Sequence, residues 1–131
     1  MNILITNDDG IDAHGISVLA RAAAKFGAVT VVAPAEQCSA MSHRITLSRR
    51  MRIEKRELDI PGVAAYALDG TPADCVKAAL DAILPRKPDV VLSGINNGYN
   101  VGFDVAYSGT VGAAMEAVMS GIPAIALSQN D

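Results

Sequence analysis

The chain has 131 residues, half of them hydrophobic, with 4% aromatic residues, no Trp and a formal net charge of −3. That length and apolar content allow one domain with a real core and exclude a disordered chain. The acidic balance and the scarcity of rings argue against a nucleic-acid polymer as partner, because such surfaces carry a basic excess and stacking aromatics. The two cysteines, Cys38 and Cys75, have neither zinc-ligand spacing nor a disulfide framework, so a reducing, cytoplasmic setting is expected. No basic leader or membrane-length apolar span is seen, and a soluble, unexported protein without a membrane partner is expected.

Taken in order, Asn2 to Thr6 is a short apolar run followed at once by Asn7, the paired acids Asp8 and Asp9, and Gly10. This pattern predicts a buried parallel strand delivering carboxylates to its carboxyl end, where open α/β sheets bind ligands. The alternative is a plain turn whose acids cap the next helix. Ile16, Leu19, Ala20, Ala23 and Phe26 recur at helical spacing, with Gly27 placed as a C-cap. Ala28 to Ala33 then predicts a second buried strand, giving a right-handed parallel βαβ unit.

Residues 45–57 alternate partially and carry Arg49, Arg50, Arg52, Lys55 and Arg56 among acids, which reads as a strand or hairpin with a charge-protected edge. Val63 to Leu68 is a further strand. Thr71, Pro72 and Asp74 form a helix start with a capping residue, a first-turn proline and an acid at the third position, and the helix runs to about Leu84. Pro88 to Ser93 is another strand, and Gly94 to Gly102 is too rich in Gly and Asn for either regular structure, which predicts a functional loop. A helix from Ser108 is expected to bury Val111, Ala114, Met115, Val118 and Met119 and to end at Gly121. Pro123 to Leu127 completes the pattern as a last buried strand. The expected architecture over residues 1–131 is one α/β domain, a Rossmann-like three-layer sandwich around a mostly parallel sheet.

On that topology Asp8, Asp9, Ser39 and Asn96 share one rim of the sheet. Carboxylate, hydroxyl and amide oxygens without His or Cys describe a site for one hard divalent cation, magnesium or manganese. The helix start Ser108-Gly109-Thr110 offers amides, a dipole and two hydroxyls to an anion. Metal and anion cradle together suit phosphoryl hydrolysis, with Asp9 orienting a water or accepting its proton. His14 is either a proton shuttle or a solvated helix-start residue. Residues 10–15 lack the Lys and Ser/Thr of a P-loop, no G-x-G-x-x-G follows the first strand, and no G-x-S-x-G elbow is present. A signalling receiver with Asp69 as phosphoacceptor is a rival, although Leu127 is followed by Ser rather than the lysine that reading needs.

The segments at 3–16, 39–48, 68–80, 93–117 and 121–128, above all NDDG and YSGTV, closely resemble SurE, a family of metal-dependent nucleotidases. The resemblance implies a SurE-like fold and hydrolysis of nucleoside 5′-monophosphates, with 3′-monophosphates and short polyphosphate as further substrates. It implies Asp8, Asp9, Ser39 and Asn96 as metal ligands, and Asn7, Ser108, Gly109 and Thr110 on the substrate side. It also implies assembly as a homodimer or homotetramer. Members of that family usually continue for roughly as many residues again, so the chain is expected to correspond to their N-terminal part. A catalytically weak nucleotide-binding fragment is therefore a further alternative, with apolar surface left for a partner or additional residues to cover.

Overall fold

A computed structural model describes residues 1–130. Six strands form one sheet in the order β3-β4-β2-β1-β5-β6. They are β1 (Asn2–Thr6), β2 (Ala28–Pro34), β3 (Ile53–Arg56), β4 (Ala64–Leu68), β5 (Val90–Asn97) and β6 (Ala124–Gln129). Only β3 runs antiparallel, against β4. The helices are α1 (His14–Ala23), α2 (Pro72–Ala78, extended by a π-helical turn over Ala79–Ile83), α3 (Asp104–Tyr107) and α4 (Gly109–Met119).

Side-chain alternation along the strands makes two cores. Ile3, Ile5, Val29 and Val31 bury against α1, whereas Leu4, Val32, Leu68 and Val91 bury with Val76 of α2 and Ala113 and Ala117 of α4. The predicted three-layer α/β architecture is thus the observed one. After β1 the chain moves outward to β2 and β4, and after α2 it returns to the other side of β1 as β5. The gap between the carboxyl ends of β1 and β5 is therefore the topological switch point, the usual ligand crevice of such sheets.

Several boundaries differ from expectation for identifiable reasons. The first helix ends at Ala23, and Phe26 is 72% exposed rather than buried. Gly27 does not take left-handed backbone; a Cβ there would overlap the Met1 carbonyl, which accepts from Ala28 N at 2.9 Å. Within residues 45–57 only Ile53–Arg56 is strand, and it forms the charged sheet edge that its composition suggested.

The Gly/Asn-rich stretch begins inside the sheet. β5 continues to Asn97, pairing Asn96 with Ser128 and Asn97 with Gln129 after a register irregularity. Gly94 permits this because a Cβ there would overlap the Leu127 carbonyl of the neighbouring strand. Helix α4 presents its small residues Gly112, Ala113 and Ala117 inward, and the expected stripe of Met115, Val118 and Met119 is exposed. Close packing between α2, α4 and the sheet leaves room for alanine and glycine but not methionine. β6, expected to be buried, is an edge strand with Ile125 54% exposed.

Candidate active site

The turn after β1 is shaped by Asn7. Its side chain is fully buried, with Nδ2 donating to Gly10 O at 2.8 Å and Oδ1 accepting from Gly10 N at 3.2 Å. Gly10 has φ of +101°, which a side chain would oppose. Both polar ends of Asn7 thus hold the loop that displays the acids, and its amide is turned inward.

Asp8 points under α4. Thr110 Oγ1 donates to Asp8 Oδ1 at 2.8 Å, and a Cβ at Gly109 would stand 3.0 Å from Asp8 Cβ. Glycine at 109 lets the helix approach the acid this closely without displacing it. Asp8 is 6% exposed, and that burial raises its carboxyl above the ordinary 3.8; the Thr110 hydroxyl lowers it, and the neighbouring Asp9 raises it again. Asp9 leans to the other side of the crevice, where its Oδ2 accepts from Asn97 N at 3.0 Å. The unforeseen extension of β5 supplies that amide.

Asn96 donates through Nδ2 to Gly98 O at 2.8 Å, which orients its amide oxygen oppositely to that bond. Asp9, His14, Gln37, Asn96 and Asn97 share the lining of a cleft of about 260 Å³. His14 is exposed at the start of α1, on the cleft wall. The loop after β2 reaches the same rim, since Cys38 N donates to Asp8 O at 2.7 Å and Ile11 N donates to Pro34 O at 2.8 Å. Ser39 follows in that loop as an exposed residue, its Oγ accepting from Gln37 Nε2 at 3.0 Å. Ser108 caps α4 by accepting from Val111 N at 3.2 Å.

The structure therefore joins Asp8 to the α4 start and Asp9 to the end of β5, with Asn96 beside Asp9 and the Ser39 loop tied to Asp8. Gln37 and the Asn97 amide are members that sequence reasoning did not single out. No motif marks them, because one acts through a loop position and the other through backbone. Among the described residues no three His, Cys, Asp or Glu side chains converge as a metal cage. The donor set instead combines two carboxylates, an amide and a hydroxyl, and such an all-oxygen set, with one carboxylate buried and desolvated, fits a hard cation. Three members of the basic cluster are engaged in ion pairs: Arg49 with Asp69 at 3.2 Å, Arg52 with Glu54 at 3.6 Å and Arg56 with Asp12 at 3.5 Å.

A mostly parallel α/β sheet with paired acids at its switch point and a helix start against one of them defines a Rossmann-like protein with a polar, oxygen-lined crevice. The chain belongs to the SurE family: the family profile described as Survival protein SurE matches residues 3–131. It is 56% identical over 130 residues to 5′-nucleotidase SurE of Prochlorococcus marinus strain MIT 9211, covering 98% of this chain and 48% of that protein. It is 53% identical over 129 residues to 5′-nucleotidase SurE of Thermosipho africanus, covering 98% of this chain and 50% of that protein. The crystal structure of the SurE protein from Aquifex aeolicus superposes with a TM-score of 0.87 at 44% identity, covering 98% of this chain and 50% of that one. The chain spans about half the length of the curated relatives it matches. Family membership sets aside the receiver reading, and Asp69 is held by Arg49 and by the Arg52 amide.

Proposed function

We propose that this chain carries the cation- and phosphate-binding part of a phosphomonoesterase that releases phosphate from nucleoside 5′-monophosphates, with 3′-monophosphates and short polyphosphate as secondary substrates. The observation that carries the reading is the pair Asp8 and Asp9 at the switch point, one buried against the α4 start and the other open to the cleft. The names of the half-matched relatives agree with it.

Asp8, Asp9, Ser39 and Asn96 are the residues that would hold one divalent cation, magnesium or manganese. Such an ion, when bound, neutralises phosphate charge and acidifies a water at neutral pH. Asn97 N fixes one oxygen of Asp9, leaving the other to hold the ion or to take a proton from the attacking water. The Thr110 hydroxyl keeps Asp8 in place, and the amides of the α4 start, with Ser108 and Gly109, bind non-bridging phosphate oxygens. Asn7 contributes by shaping the loop. No helix among the described residues is long and apolar enough to cross a membrane, and the free cysteines Cys38 and Cys75 suit a reducing cytoplasm. Exposed apolar side chains such as Met119 and Phe103 suit a homodimer or homotetramer.

The test is phosphate release from 5′-AMP, 3′-AMP and short polyphosphate with Mn²⁺ or Mg²⁺, comparing the protein with its Asp9→Asn variant. Metal-dependent release that Asp9→Asn abolishes supports the reading. No release from any of these substrates by the folded protein overturns it, and unchanged turnover in Asp9→Asn removes that residue from the mechanism.

A further inference from the structure

Ser39 belongs to a loop that no strand register fixes, because β2 ends at Pro34 and the next strand begins at Ile53. Its neighbours Ala40 and Ser42 have φ of +56° and +53°, left-handed backbone that non-glycine residues keep only where surroundings impose it. For Ser42 those surroundings belong to α4 and the short helix before it. Ser42 N donates to Tyr107 O at 2.9 Å, and Ser42 Oγ donates to Ala106 O at 2.8 Å. His43 Nε2 lies 2.5 Å from Glu116 Oε2, and the other carboxylate oxygen lies 3.8 Å from Lys77 Nζ on α2.

Gly112 makes this seating possible. A Cβ there would overlap the Ser42 carbonyl and stand 3.0 Å from His43 Cα. Gly109, Gly112 and Glu116 follow helical spacing, so one face of α4 meets Asp8 at its first turn and the Ser39 loop further along. Helix α4 thereby fixes the far side of the Ser39 loop relative to Asp8, in addition to the direct bond from Cys38 N to Asp8 O. Glu116 is only 12% exposed, yet it lies outside the paired-acid cleft.

We propose that Glu116 is a positioning residue which, through His43, locks the Ser39 loop onto α4 so that the Ser39 hydroxyl and the paired acids present one donor set. The inference rests on the cation-site reading given above. A purely structural role would cost thermal stability and leave cation affinity alone; a positioning role weakens affinity in a protein that remains folded.

Mn²⁺ titration calorimetry on the metal-free protein, paired with thermal unfolding, separates the two. Loss of a partner that orients a ligand lowers metal affinity by about 10–100-fold. Glu116→Ala and His43→Ala are each expected to weaken Mn²⁺ binding by about tenfold, and the double variant no further, since both remove one link. Glu116→Gln, which still accepts from His43, should restore wild-type affinity. Lys77→Ala removes the outer contact only and should leave affinity unchanged. Unaltered Mn²⁺ affinity in either folded alanine variant, or losses that add in the double variant, overturns the proposal. His43 is 25% exposed, so its alanine variant keeps the test decisive if Glu116→Ala fails to fold. Absence of Mn²⁺ binding by the unaltered protein overturns the cation site itself, a result distinct from selective loss in the variants.

Discussion

Replacing Asp74 by Ala should remove a junction on which three segments depend. Asp74 is 1% exposed at the third position of α2, and its carboxylate accepts from Thr71 N at 2.9 Å, Thr46 N at 2.8 Å and Thr46 Oγ1 at 2.6 Å. Thr71 in turn caps the helix and donates from Oγ1 to Arg44 O at 2.5 Å. The Ala variant strands two backbone amides and a hydroxyl. An orphaned buried donor costs about 1–3 kcal/mol, and Thr46 borders an open groove where water can partly replace the carboxylate, so the total is about 3 kcal/mol. For a chain of this size about 4 °C accompanies each kcal/mol, giving a Tm fall of about 12 °C by circular dichroism at pH 7. The pH dependence gives a second check. Burial works to raise the Asp74 carboxyl, but the hydrogen bonds from Thr46 and Thr71 outweigh it and hold the group below 3.8. Its stabilisation is therefore complete above the ordinary carboxylate range and is lost as pH falls through the lowered folded value, so the two proteins should converge in strong acid. A Tm within about 2 °C of the unaltered protein at pH 7 would refute the assignment of these bonds as a joint.

Asp8→Asn should act in the opposite direction. Burial first, and then the Asp9 charge, raise the Asp8 carboxyl, so its ionisation opposes folding as pH climbs through the raised value. The isosteric amide keeps an acceptor for Thr110, and metal-free Tm at pH 7 should rise by roughly 2–5 °C while any Mn²⁺-induced stabilisation disappears; a lower Tm would contradict the account. Gly112→Ala gains about 1 kcal/mol of helix propensity but drives a methyl into the Ser42 carbonyl, for which overpacking costs about 1–3 kcal/mol. The balance should be a fall of a few degrees in scanning calorimetry, and a rise would mean that the loop relaxes freely.

The elements most legible in the sequence were those whose local signals agree with their burial. β1 and β2 are short apolar runs buried on both faces, and Thr71, Pro72 and Asp74 spell out a capping box that forms as written. The paired acids were legible for the same reason, being polar groups set directly after a buried strand. What was not legible depends on neighbours far away in the chain. The extension of β5 through Gly94 depends on β6, and the inward face of α4 is decided by how closely α2 and the sheet approach it. The contacts around Glu116 were equally hidden, since a glutamate on a helix carries no mark of a histidine met across the fold.

The position of β1 has a consequence for how the chain acquires its shape during synthesis. Its five residues are synthesised before every other strand of the sheet, yet they form its middle, with Ile3 placed against both Val29 and Val90. At about 5–20 residues per second the second neighbour emerges on the order of ten seconds after the first strand. Through that interval β1 can pair on its β2 side only, leaving an apolar edge open to wrong partners. Holdase chaperones acting on the nascent chain should thus dwell on the segment from β1 to β2 until β5 emerges, and ribosome profiling of chaperone-bound chains would show their release once β5 has been synthesised.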